Sequence, residues 1–194
     1  MIDESAKAHL HERHRDAREQ FVKKLEGLSE YDVRRPMSRT GTNLLGLVKH
    51  LTLYEAAYFG HVFGRPYPEQ PVPTLDGGFR NRDFMWVTEH ESRGDVMAAY
   101  QRACLHADGT IESLPIDAAG HVSWWRSDVS LFTVLVHMLL ETSQHLGHAD
   151  IIREAIDGAV GANAARPNTT EEADWATHRA MIEVAARHAA KIVP

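Results

Sequence analysis

Four residues in the C-terminal half of the chain are placed to do metal chemistry. In the segment Asp128 to Gly158, DVSLFTVLVHMLLETSQHLGHADIIREAIDG, residues His137, Glu141, His145 and His148 follow one another at steps of four, four and three. At about 100° per residue they project within roughly 80° of arc on one face of a helix. Glu141 and His145, one turn apart, both reach a single ion placed beside that helix. The third ligand has to come from a facing helix. His50 is the best donor, set mid-helix among Leu47, Val48, Leu51 and Leu53, where a neutral imidazole needs a partner. Two histidines, a glutamate and an open position make up the donor set of catalytic zinc sites. The open position takes water, or a thiol whose bound sulfur is ionised at neutral pH. The same spacing also describes a solvated or salt-bridged helix face.

The neighbours of this set have two readings each. His137 and His148 are candidates to contact substrate or accept a thiol proton, and equally suit satisfied core histidines. His61 reads as a histidine supporting the ligands from the facing helix, or as a buried or interfacial one. Arg153 suits an anionic substrate or an ion pair with Glu154 or Asp157. Trp124 and Trp125 suit a pocket lining or a core under a loop.

The elements that must position these residues are helical in pattern. A first helix spans about Glu4 to Leu28, with Leu10, Ala17, Phe21, Leu25 and Leu28 as its buried stripe; His14 falls on the stripe, His9 and His11 off it. A second spans about Thr42 to Phe63, capped by Thr42 and stopped at Gly64-Arg65-Pro66. Tyr67 to Trp86, with Pro68, Pro71, Pro73 and Gly77-Gly78, reads as a long irregular loop. A third helix starts at the capping box Thr88 to Glu91 and runs to about Leu114. Pro115 to Ser127 reads as a second loop, leading into a helix capped by Asp128 and stopped by Gly158. After a small-residue linker, a second capping box at Thr169 to Glu172 opens a terminal helix to about Ala190. The expectation is an all-α fold, a four-helix bundle with crossover connections over 1–158. Residues 159–194 would form a linker and a C-terminal helix packed on the same domain.

Composition narrows the function. The chain has 194 residues, enough for one domain with a real core. A net charge of -6 argues against nucleic acid as a partner, since such domains are usually basic. No apolar run approaches the roughly 18 residues of a membrane span, and Met1 to Phe21 is too charged for a signal peptide. The single cysteine, Cys104, excludes an internal disulfide and a thiolate cage, and points to a reducing cytoplasm. Thirteen histidines are what bring metal chemistry into consideration.

Two segments, NLLGLVKHLTLYEAAYFGHVFG (Asn43 to Gly64) and VLVHMLLETSQHLGHADIIREAIDG (Val134 to Gly158), resemble the DinB-like metal-binding bundle superfamily. Within it they are most similar to the mycothiol-dependent transferases. The resemblance covers about residues 5 to 158. That superfamily typically uses one histidine from its second helix and an H-x-x-x-H pair from its fourth. Glu141 stands where the first of that pair would be, as in the mycothiol-dependent maleylpyruvate isomerase type. The resemblance thus implies His50, Glu141 and His145 as ligands. The isomerase's further C-terminal domain has no counterpart after Gly158, so maleylpyruvate is not the expected substrate. What the resemblance implies is a zinc-dependent thiol S-transferase with mycothiol as co-substrate and a small electrophile as the other; nickel, iron or manganese suits the same donors. His148 or His137 would accept the proton, and Arg153 and Trp125 would contact a bound molecule. Standalone bundles of this kind often pair, so a homodimer is expected. A metal-binding bundle without catalysis, and a hydrolase using zinc-bound water, are the competing readings.

Overall fold

The computed structural model describes residues 4–69, 85–160 and 175–190. Helix α1 (Glu4–Lys23) buries Ala17 and Phe21, and Leu25 extends the stripe past its end. His14 is fully buried, as its place on the stripe implies. His11, expected off the stripe, is buried too, because its Nε2 meets Asp108 Oδ1 at 2.9 Å. A short helix, α2 (Glu30–Arg34), is capped by Ser29.

Helix α3 (Leu44–Phe59) is buried along nearly its whole length. Its cap is Asn43 rather than Thr42, with the Asn43 side-chain oxygen accepting from Gly46 N at 2.8 Å. A Cβ at Gly46 would stand 2.0 Å from the Met85 carbonyl oxygen, so only glycine admits this approach. A 3-10 turn at His61–Phe63 ends the segment on Gly64 in the left-handed conformation. Helix α4 (Arg93–Ser113) is capped by Ser92. The expected capping box does form its contact, Thr88 N donating to Glu91 Oε2 at 2.9 Å, but it closes a turn ahead of the helix.

The connection expected as a loop before the long helix contains a hairpin. Strands β1 (Ala119–Val122) and β2 (Ser127–Ser130) pair antiparallel, with Ala119 opposite Ser130 and His121 opposite Asp128. Asp128 is therefore a strand residue bonded to His121 at 2.8 Å, not the cap. Ser130 caps helix α5 (Leu131–Asp157), which stops at Gly158 in the left-handed conformation. A Cβ at Gly120 would stand 2.8 Å from side-chain atoms of both Phe63 and Val62, so the hairpin sits tightly on the 3-10 turn. Helix α6 (Trp175–Ala189) is exposed throughout. The Thr169 to Glu172 box, most of the Tyr67 to Trp86 stretch and most of the linker lie outside the described residues. Among the described residues no helix is long and apolar enough to cross a membrane.

Helices α1, α3, α4 and α5 form the bundle: α5 packs on both α1 and α3, and α4 packs on α3 and meets α1 through Asp108. Helices α3 and α4 run parallel, with Lys49 paired to Glu91 near their starts and Ala56 packed with Ala103. Parallel neighbours of this kind are joined by a crossover rather than a tight turn. Two apolar clusters fill the interior. One gathers Phe21, Leu25, Leu47, Leu51, Tyr100 and Ala149; the other gathers Phe59, Ile111, Leu131, Val134, Leu135 and Met138.

A polar layer lies between the clusters. Glu55, with no exposed surface, accepts from Arg18 Nε at 2.8 Å and Nη2 at 2.5 Å, and its Oε1 lies 2.9 Å from His14 Nε2. Arg18 Nη1 also donates to Asp108 at 2.6 Å. Burial alone would raise the Glu55 carboxyl, but Arg18 and His14 outweigh it and hold it at about 2. Asp108 is held at about 2 as well, against its burial, by His11 and Arg18. Removing one partner of such a set leaves a buried charge uncompensated, so Glu55→Ala is expected to cost about 3–5 kcal/mol in chemical denaturation. Carboxylates depressed on folding give stability that is full above their unfolded value and lost as pH falls through the folded one. His14, lowered chiefly by burial, acts in the same direction, because the unfolded chain takes up its proton first. The melting temperature should fall from pH about 6 to pH about 3, and less steeply in Glu55→Gln.

Candidate metal centre

Two stripes of side chains face each other across α3 and α5. On α3, His50, Tyr54 and Tyr58 recur every fourth residue; on α5, His137, Glu141 and His145 do the same. The helices run antiparallel here, so His50 meets Glu141 and His145 while Tyr58 meets His137. At the first end, Glu141 Oε1 lies 3.1 Å from His50 Nε2 and 3.1 Å from His145 Nε2. The three ligating atoms all fall within 4.8 Å of one another. Donors about 2.0–2.2 Å from a tetrahedral ion stand roughly 3.3–3.5 Å apart, so the two pairs at 3.1 Å already stand near that spacing, and the 4.8 Å bound leaves about an ångström to close between the imidazoles. The sequence-derived triad is thus brought together.

The charge state suits that role. Hydrogen bonds from His145 and His50 hold the Glu141 carboxyl well below the usual carboxylate range, so it is an anion. Burial lowers His50, leaving a neutral imidazole with a lone pair to give. Because His145 turns Nε2 to Glu141, its Nδ1 is left to meet His148 Nδ1, at 3.2 Å. His148 is otherwise exposed. A ring bonded through its second nitrogen keeps its orientation, which is how histidine ligands are commonly held.

At the other end of the stripes the rings pack on one another. The His137 ring centroid lies 4.7 Å from that of Tyr58 and 4.7 Å from that of Trp125, and its buried Nε2 has no hydrogen-bond partner. Trp124 Nε1 donates to the Tyr58 hydroxyl at 3.1 Å. Arg153 is not at the centre. It lies two turns beyond His145, bonded to Asp157 at 2.8 Å and to the carbonyls of Lys24 and Glu26, so the ion-pair reading with Asp157 is the one that forms. His61 lies on the 3-10 turn past α3, where burial lowers its pKa.

A family model described as mycothiol-S-transferase matches residues 9–158. The chain belongs to the mycothiol-S-transferase family, part of the DinB-like superfamily. The matched span closes at Gly158, the residue that stops α5, so the family segment holds the bundle apart from the first residues of α1, and both stripes. No curated protein matches the chain. The sequence reading missed Tyr58 as the end of a stripe, although the steps of four from His50 to Tyr54 and from Tyr54 to Tyr58 were there to be seen. It also missed Glu55, a lone charge in the otherwise uncharged run from Leu51 to Gly60.

His50→Ala, Glu141→Ala and His145→Ala should each abolish stoichiometric divalent-metal binding, read by elemental analysis after dialysis of untagged protein. His9→Ala should bind as the wild type does. Full metal content in Glu141→Ala would remove Glu141 from the ligand set.

Proposed function

We propose that this chain is a metal-dependent thiol S-transferase, joining a low-molecular-weight thiol, mycothiol first, to a small electrophile. The observation that carries the reading is the Glu141 oxygen 3.1 Å from two imidazoles in a chain whose residues 9–158 match that family. His50, Glu141 and His145 would hold the ion, zinc first, with nickel, iron or manganese compatible with the same donors. Bound there, a divalent ion supplies the charge that keeps a thiol sulfur ionised at neutral pH. The chain's own residues do the rest. His148, exposed and bonded to His145, is positioned to take up the thiol proton. His137 borders the reacting space with its second nitrogen held inside the aromatic cluster. Trp125 borders the same space from the hairpin. The sulfur then forms its bond to the electrophilic carbon, and the displaced group leaves with the electron pair.

We infer a reducing cytoplasm as the working compartment, consistent with a single unpaired cysteine. A homodimer is the proposed assembly, supported by the solvent-facing Trp175, Met181, Ile182 and Val184 of α6. Light scattering should give about twice the 21.8 kDa chain mass, and a value at 21.8 kDa would overturn the dimer.

The transferase reading is tested by thiol binding in a Cys104→Ser background. Protein loaded with cobalt should gain a thiolate-to-metal charge-transfer band in the near ultraviolet on adding mycothiol, with release of about one proton near neutral pH. Glutathione should give a weaker response at equal concentration. A cobalt spectrum unmoved by saturating mycothiol, cysteine and glutathione would sink the transferase. Ester or amide turnover without thiol would point to hydrolysis instead.

A further inference from the structure

The wall of rings beside the triad is not needed to hold an ion, yet it is continuous with it. From His50 the run of centroids goes to Tyr54 at 4.2 Å, from Tyr54 to Tyr58 at 5.6 Å, and from Tyr58 to His137 at 4.7 Å and Trp125 at 5.5 Å. Its members differ in exposure. Tyr58 is 3% exposed and forms the floor, whereas Trp125 is 38% exposed and keeps indole surface open to solvent. Resting on the transferase reading above, we propose that this wall is the subsite for the electrophile, and that it selects a flat, unsaturated, uncharged group attached to the reactive carbon. Trp125 is the specificity-determining residue.

Three features favour that occupant. Flat π-systems gain by offset or edge-on contact with aromatic rings, and the run offers both, since Trp125 meets His137 at 86° while Tyr54 and Tyr58 tilt at 41°. The wall is also preorganised. The Trp124 indole nitrogen donates to the Tyr58 hydroxyl, and Gly120 seats the hairpin on Val62 and Phe63, so a ligand does not have to order the tryptophans on binding. Finally, the wall is uncharged. Tyrosine and tryptophan side chains carry no charge near neutral pH. None of its members is lysine or arginine, and the guanidinium of Arg153 is committed to Asp157 and two carbonyls. A carboxylate on the electrophile would meet no cation from these rings.

The test uses the full chain, loaded with zinc, in a Cys104→Ser background, with mycothiol. Phenacyl bromide and bromoacetone share the same reactive carbon and leaving bromide, and differ in whether a phenyl ring is attached. Each reaction forms one carbon–sulfur bond and releases bromide and the thiol proton. After correction for the uncatalysed rates, kcat/KM should favour phenacyl bromide by roughly three- to tenfold. Trp125→Ala should remove that preference by raising KM for phenacyl bromide several-fold more than KM for bromoacetone, and Trp125→Phe should restore it. Independently of turnover, unreactive acetophenone should bind saturably in ligand-observed NMR to the wild type and to Trp125→Phe, but not to Trp125→Ala. Equal kcat/KM for the two bromides, or acetophenone binding unchanged in Trp125→Ala, overturns the subsite. Acetophenone binding without any thiol consumption instead removes the transferase reading and leaves the aromatic subsite standing.

Discussion

The buried ion pair between Arg18 and Glu55 is the contact on which the arrangement of the bundle rests. A carboxylate with no exposed surface is tolerable only when its partners are present, and here they come from α1. That requirement fixes both the height of α3 against α1 and its rotation about its own axis. Since Glu55 must face Arg18, residues 50, 54 and 58 are turned toward α5 instead. Asp108 extends the constraint to α4 through the same guanidinium. An apolar contact of equal area would have allowed α3 to roll or slide by a fraction of a turn. The charged one does not, and the ligand geometry inherits its definition.

The polar layer between the two apolar clusters therefore has two halves with different work to do. The half toward α1 and α4 is nearly closed: two carboxylates, one guanidinium and two histidines bond to one another, with His14 Nδ1 left without a partner. The half toward α5 is closed only in part. The Glu141 carboxylate is shared by two imidazoles that lean on it from opposite helices, which brings three atoms able to ligate an ion to one place. A bundle able to fold on its apolar clusters and its closed half can keep such a site assembled without an ion. The ion would then meet a preformed set of donors.

How much of this was legible in the sequence follows from which signals are local. The meeting of His50, Glu141 and His145 was, because Glu141 and His145 sit one turn apart and His50 is a lone imidazole in an apolar run. The long helix was too, though not its start. Asp128 and Ser130 are both good caps, and the choice between them was made by pairing of Asp128 with His121 across a hairpin. That hairpin left little trace, since its four-residue strands show no sustained alternation and their partner contacts are tertiary. The buried ion network was equally hidden. His11, Arg18 and Asp108 look like ordinary solvent-facing helix residues, and only their meeting with one another in space makes them internal. Arg153 was ambiguous for the same reason: its destination depended on carbonyls that end α1, far away in the chain.

The hairpin between α4 and α5 carries both indoles, whereas every candidate ligand comes from α3 or α5. It is seated on the 3-10 turn through one glycine and contributes nothing to the ion's donors. On the proposed reading, reactivity and selectivity are inherited through separate stretches of the gene. Drift or recombination confined to the codons between α4 and α5 can change what the protein accepts while its donor set passes unaltered from one generation to the next. A lineage built on this bundle is free to diversify at the hairpin, and that is where its members should differ most.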